Sequence, residues 1–214
     1  MKIKYIDLSL QTKNIEPKLL TIFKKVISSG QFVGGSYISI FEKEMSKYLG
    51  VKHCVALNSG TDALTFAMHS LGIKRGDEVI TPPNSFIAST AAIIHLGAKP
   101  VFVDVLPDQN IDFSKIERCI NKKTKAIMPV HLTGRPCEMN EIMRISKKYN
   151  LKVIEDAAQS IGTKYANKKI GTIGDIGCFS AHPLKNLNAL GDSGYLATNN
   201  KKIYEKIKDL SNHG

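Results

Sequence analysis

The chain has no tryptophan, few aromatic residues of any kind (7%) and only four cysteines in 214 residues. Cys54, Cys119, Cys137 and Cys178 form no CxxC pair. Zinc-ligand spacing is therefore absent, and a disulfide framework is not expected in a chain of this size. Cys54 and Cys178 sit in apolar strand patterns and read as small core residues. His131, His182 and His213 also lack ligand spacing, so no metal site is expected and each reads as a local hydrogen-bonding residue. No apolar run is long enough to span a bilayer. The start, Met1 to Asp7, has charges but no continuous apolar segment and no small-residue cleavage site, which does not describe a signal peptide. The expected location is the cytoplasm, with no membrane partner.

Acidic residues are also in short supply. The formal net charge is +11, a balance that suits nucleic acid, an anionic surface or an acidic substrate. The lysines, however, are scattered in pairs such as Lys24-Lys25, Lys122-Lys123 and Lys168-Lys169. Aromatic residues do not interleave with them as a single-strand binding groove requires. They read as solvated faces, with no nucleic-acid partner, although the surplus would still attract a phosphorylated substrate.

What the chain does have is an ordinary globular composition, 43% hydrophobic and 23% charged, arranged in two alternating patterns. Short β-branched runs recur at 53–57, 78–80, 100–103, 126–130 and 152–154. Helical periodicity falls between them at 62–71, 86–96, 114–120 and 138–149. Continuous apolar runs separated by helices predict strands buried on both faces of a mostly parallel sheet. Two further strands are predicted near 177–179 and 194–198, then a lysine-rich helix over 201–210. Two helices, 16–28 and 36–48, precede the first strand, separated by Gly30 and Gly34-Gly35. The result is one α/β layered domain with an N-terminal helical segment. Gly214 reads either as a helix C-cap or as the point where a longer protein has been cut.

Four places carry chemistry. Asn58-Ser59-Gly60-Thr61-Asp62 is a strand end, a small-residue turn and a helix start. Its free N–H groups and positive dipole end suit a phosphate; a plain N-cap by Ser59 or Thr61 is the simpler reading. Glu155-Asp156-Ala157-Ala158-Gln159 puts two acids at the end of a buried strand, which is costly unless a cation meets them. A carboxylate there could hold a protonated ring nitrogen, or Asp156 could be salt-bridged or capping. Phe86, after Thr81-Pro82-Pro83-Asn84-Ser85, could stack on a flat ring or serve as a core or staple residue. Lys185, in Ser180-Ala181-His182-Pro183-Leu184-Lys185-Asn186-Leu187, follows a strand and precedes the Gly-rich loop Gly191-Asp192-Ser193-Gly194. Such a lysine is ordinarily a surface charge, but a desolvated one can act as a nucleophilic amine. Ser180 could face the same phosphate as the Gly60 turn. A phosphate cradle, a carboxylate for a ring nitrogen, an aromatic plate and an amine together match the needs of pyridoxal 5′-phosphate.

These blocks resemble the DegT/StrS-type sugar aminotransferases, pyridoxal-phosphate enzymes of the aspartate aminotransferase fold (fold type I). The marks are Ser59-Gly60-Thr61-Asp62-Ala63-Leu64, Gly76-Asp77-Glu78-Val79-Ile80, Pro100-Val101-Phe102-Val103-Asp104, Glu155-Asp156-Ala157-Ala158-Gln159, and Lys185-Asn186-Leu187 with the following Gly-rich loop. The resemblance implies a three-layer α/β sandwich with a mostly parallel mixed sheet. It implies that Lys185 carries the cofactor covalently and shuttles a proton, and that Asp156 pairs with the pyridinium nitrogen. Gln159 would bond the phenolic oxygen, Gly60, Thr61 and Ser180 the phosphate, and Phe86 would stack on the ring. The implied reaction moves an amino group, usually from L-glutamate, to a keto group of a nucleotide-linked deoxysugar for polysaccharide or glycoside biosynthesis. A dehydrating relative carries histidine in place of the lysine, and Lys185 argues against that chemistry. Ser193 stands where glycine is more usual. The family also implies a homodimer with shared sites, and a smaller C-terminal domain that this chain is expected to stop short of. The alternatives are a non-catalytic regulator or binding module on the same fold, and an inactive fragment.

Overall fold

The structure is a computed structural model that describes residues 3–212; the readings placed on Met1, Lys2, His213 and Gly214 lie outside them. The chain divides into two compact units between Phe41 and Glu42. The first holds α1 (Leu8–Lys13) and α2 (Glu16–Ser29). Asp7 caps α1 by accepting the Leu10 N–H. Pro17 opens α2, where its missing N–H costs nothing, and Gly30 closes it at a φ of 66°. Neither helix has a buried residue. Along α2, Leu20, Phe23 and Ile27 are exposed.

The second unit carries the sheet. Its strands are β1 (His53–Leu57), β2 (Glu78–Thr81), β3 (Lys99–Phe102), β4 (Thr124–Ile127), β5 (Lys152–Asp156), β6 (Lys164–Tyr165), β7 (Lys168–Lys169), β8 (Ile176–Ser180) and β9 (Gly194–Thr198). Seven of them form one sheet in the order β1-β9-β8-β5-β4-β2-β3, and β6-β7 is a separate hairpin. The pairs from β3 through β8 are parallel. β9 runs antiparallel to both β8 and β1, which makes the sheet mixed as expected.

Helix α3 (Ser36–Leu49) crosses the division between the units, and α4 (Gly60–Ser70), α5 (Ile87–His95), α6 (Met139–Tyr149) and α7 (Lys201–Leu210) accompany the strands. Strand residues alternate between two buried sets. Val79, Ala126 and Ile154 belong to a cluster with Leu64, Ala67 and Met68 of α4, Ile93 of α5 and Ile203 and Ile207 of α7. Their neighbours Ile80, Ile127 and Val153 are equally buried but outside that cluster, because successive side chains of a strand point to opposite faces. α6 packs on β4 and β5 and buries Met139, Ile142 and Ile145. Burial on both faces explains why these strands read as unbroken apolar runs.

One expected helix is absent. Residues 114–120 form two 3-10 turns, Phe113–Lys115 and Glu117–Cys119, rather than an α-helix. Asp112 accepts from both the Ser114 N–H and its hydroxyl, and pairs with Lys115 at 3.1 Å. Those local bonds compete with helical ones and hold the segment in tight turns. Among the described residues, no helix is long and apolar enough to cross a membrane.

Candidate active site

The carboxyl ends of parallel strands and the turns that follow them bound one cavity of about 340 Å³. All seven residues singled out from the sequence line it: Gly60, Thr61, Phe86, Asp156, Gln159, Ser180 and Lys185. They come from four different segments, brought together because the crevice beyond the strand ends is where such sheets leave room for ligands.

The wall near β1 is the start of α4. Ser59 caps it by accepting the Asp62 N–H at 3.0 Å, so the plain capping reading is realised by Ser59. Capping does not use up the turn, since the first N–H groups of a helix have no partner within it. Gly60 is there for space: a β-carbon on it would lie 2.8 Å from the Ser180 β-carbon. The α4 N-terminus and the Ser180 hydroxyl therefore sit side by side, as an anion requires. Ser180 itself accepts the His182 N–H at 3.3 Å.

The floor is the end of β5. Asp156 is 5% exposed. One of its oxygens accepts the Ser89 hydroxyl at 2.7 Å and the other accepts the Ala158 N–H at 3.2 Å. Burial pushes this carboxyl above its ordinary value, while the Ser89 and Ala158 bonds oppose the shift. Gln159 accepts the Thr133 N–H through Oε1 at 3.1 Å, which leaves its Nε2 as the end that can donate. Phe86 is the N-cap of α5 and 71% exposed; it is not a core residue. Lys185 is half-buried, in a turn closed by its N–H to the His182 carbonyl at 2.8 Å.

Sequence reasoning missed the supports. Glu155 was expected to need a cation. Instead its carboxylate accepts N–H groups from Gly171, Ile173 and Gly174 at 2.7–2.8 Å. It also meets His131 Nε2 at 3.2 Å. His131 Nδ1 accepts the Cys137 N–H, which places the ring proton on Nε2, facing Glu155. His131 lines the cavity beside Asp156 and is held in place by this arrangement. Ser89 was missed as well. A lone polar residue three positions after Phe86, on the apolar side of α5, is the signal that could have found it.

The sequence profile of the DegT/DnrJ/EryC1/StrS aminotransferase family matches residues 13–214. The chain belongs to that family. A relative named UDP-N-acetyl-3-dehydro-alpha-D-glucosamine 3-aminotransferase, from Acidithiobacillus ferrooxidans, is 42% identical over 99% of this chain and 58% of its own length. A protein of Geobacillus stearothermophilus named pleiotropic regulatory protein is 40% identical over 100% of this chain and 58% of its own. Among solved structures, S. venezuelae DesV in complex with a ketimine intermediate superposes with a TM-score of 0.96 at 35% identity, covering 100% of this chain and 58% of that one. A Bacillus subtilis protein, NtdA, with bound cofactor PMP superposes with a TM-score of 0.92 at 38% identity, covering 98% and 48%. The chain thus spans about 58% of the length of these two curated relatives. The family's fold, a mostly parallel mixed sheet with helices, is the one described above.

Proposed function

We propose that this chain is the cofactor-binding large-domain portion of a pyridoxal-phosphate-dependent sugar aminotransferase. The observation that carries the reading is the presence, in one cavity, of an amine (Lys185), a buried carboxylate (Asp156) and a helix N-terminus opened by Gly60. The residues fit the cofactor. An anion site, a carboxylate floor, an exposed ring and a nearby amine are what a phosphorylated pyridine aldehyde needs, and NtdA holds the related PMP. When bound, the cofactor supplies an aldehyde for a Schiff base and a ring that withdraws electrons.

The chain's own residues would act as follows. The α4 N-terminus, Thr61 and Ser180 bind the phosphate. The Asp156 carboxylate holds the proton of the ring N–H, and Ser89 and Ala158 hold Asp156. Gln159 Nε2 donates to the phenolic oxygen, its orientation fixed by the Thr133 N–H. Phe86 covers one face of the ring. Lys185 Nζ would hold the cofactor covalently and would serve as the base that moves the proton at the substrate carbon. The amino donor would be L-glutamate and the acceptor a keto group on a nucleotide-linked deoxysugar, as the name of the Acidithiobacillus relative supports. The site is assigned to a homodimer in the cytoplasm; exposed Phe86, Ile87, Leu184 and Leu190 on the second unit supply apolar surface for a second subunit.

The name of the Geobacillus relative favours a second reading, a regulator that keeps the fold without the reaction. Borohydride reduction of the cofactor-loaded, full-length protein separates the two. The first reading expects the cofactor mass on the peptide containing Lys185, its loss in Lys185→Ala, and amino transfer from glutamate at least a thousandfold slower in that variant. A Lys185→Ala enzyme that turns over keto-sugar at the native rate would refute it. A salt-sensitive DNA complex with no half-reaction would establish the second.

A further inference from the structure

Ser89 lies in the first turn of α5 and is 1% exposed. A serine inside a helix usually turns its hydroxyl back to a carbonyl three or four residues earlier. This one reaches across 67 positions of sequence to the Asp156 carboxylate at 2.7 Å, while its backbone N–H bonds the Phe86 carbonyl at 3.2 Å. The first turn of α5 therefore joins the exposed ring at the mouth of the cavity to the carboxylate on its floor.

We propose that Ser89 is a positioning residue for Asp156, aiming the carboxylate at the cofactor's ring nitrogen and keeping it ready to accept that N–H. This rests on the cofactor assignment made above. The geometry leaves Ser89 one chemical role at that contact. A carboxylate accepts and does not donate, so the serine hydroxyl is the donor. With Ala158 holding the other oxygen, the plane of the carboxylate is set by two elements, α5 and the turn after β5. Rotation about the last bond of the aspartate would break one bond or both. Each oxygen keeps a second lone pair for a further donor. The groups that face or surround Asp156 are His131 after β4, Lys185 after β8, Cys178 on β8, Cys137, and the neighbouring Glu155. Among the described residues, Ser89 and Ala158 donate to its side chain, and of the two the Ser89 donor is the side chain that a substitution removes.

The test uses Ser89→Ala and Ser89→Thr in the full-length protein, with three readouts. In the cofactor-free protein, the Asp156 carboxyl is followed by carbon NMR across a pH titration. Ser89→Ala is expected to move its proton loss to higher pH, and Ser89→Thr to restore it. Affinity for pyridoxal 5′-phosphate is expected to fall about 10- to 100-fold in Ser89→Ala, the loss of one hydrogen bond to a charged group. Affinity for inorganic phosphate, which does not reach Asp156, is expected to stay within about twofold. An unchanged Asp156 titration with unchanged cofactor affinity would overturn the proposal. So would an equal loss for phosphate and cofactor, because a merely structural serine would loosen both. If the wild type itself takes up no pyridoxal phosphate, the cofactor assignment falls, and the NMR titration still decides whether Ser89 governs Asp156.

Discussion

Glu155 offers the sharpest test of the architecture beneath the site. Its side chain is fully buried. Oε1 accepts from Ile173 and Gly174, and Oε2 accepts from Gly171 and faces His131 Nε2. Replacing it by glutamine keeps the size and turns one oxygen into an NH2 group. Whichever way the amide is placed, two donors lose their acceptor and confront another donor. Each lost hydrogen bond to a charged group costs about 1.5–3 kcal/mol, so the loss is about 3–6 kcal/mol for the two. The neutral amide recovers part of the cost of burying a charge, which makes the lower end, about 3 kcal/mol, the figure to test. That is a large share of the roughly 5–15 kcal/mol that holds a domain together. Urea unfolding of cofactor-free wild type and Glu155→Gln measures it, and the melting temperature should drop by about 6–12 °C in parallel. A loss below about 1 kcal/mol would show that the 170–175 loop does not depend on this carboxylate.

Two further outcomes follow from the same region. Burial raises the folded-state pKa of Asp156, so the folded protein holds that proton more tightly than the unfolded chain. Its contribution to stability is full below the unfolded value of about 3.9 and is lost as pH rises through the folded value. Asp156→Asn, cofactor-free, is therefore expected to melt higher than wild type at neutral pH while binding pyridoxal phosphate far more weakly. Equal melting temperatures across that pH range would contradict the linkage. Gly60→Ala places a methyl 2.8 Å from the Ser180 β-carbon and must push the two segments apart, with phosphate affinity falling about tenfold or more; calorimetry with inorganic phosphate reads this directly, and an unchanged Kd would show that the closeness is incidental.

The strands and most helices of the second unit were legible because burial on both faces writes itself into sequence as short apolar runs. The failures have local causes. The 113–119 turns hide a helical apolar pattern behind Asp112, whose side chain captures the Ser114 and Lys115 groups. The β6-β7 hairpin was not anticipated: its strands are two residues long, and its turn places Ala166 and Asn167 at φ of 45° and 66°. Asn tolerates that conformation, but alanine gives no warning. α1 was missed too, being six residues long with no buried face. In the site, Gly60, Asp156, Ser180 and Lys185 stood out because each lies at or just beyond a strand end. Ser89 and the His131–Glu155 pair did not, since their meaning lies in contacts 67 and 24 positions away. Periodicity encodes which face a residue buries and carries no record of its distant partner.

The place of β9 bears on how the protein comes off the ribosome. Within the described sheet, β1 has β9 as its sole neighbour, with His53 opposite Thr198. β1 must therefore wait for β9. At roughly 5–20 residues per second of synthesis, that delay is on the order of ten seconds. Throughout it, the apolar face of β1 and the Gly60 turn lack the β9 strand they pair beside, and in its closing part β8, once made, offers an open edge to any passing strand. The cavity is thus completed only once Gly194–Thr198 has been made, and a nascent chain cut short before Gly194 would expose an adhesive edge in place of a binding site.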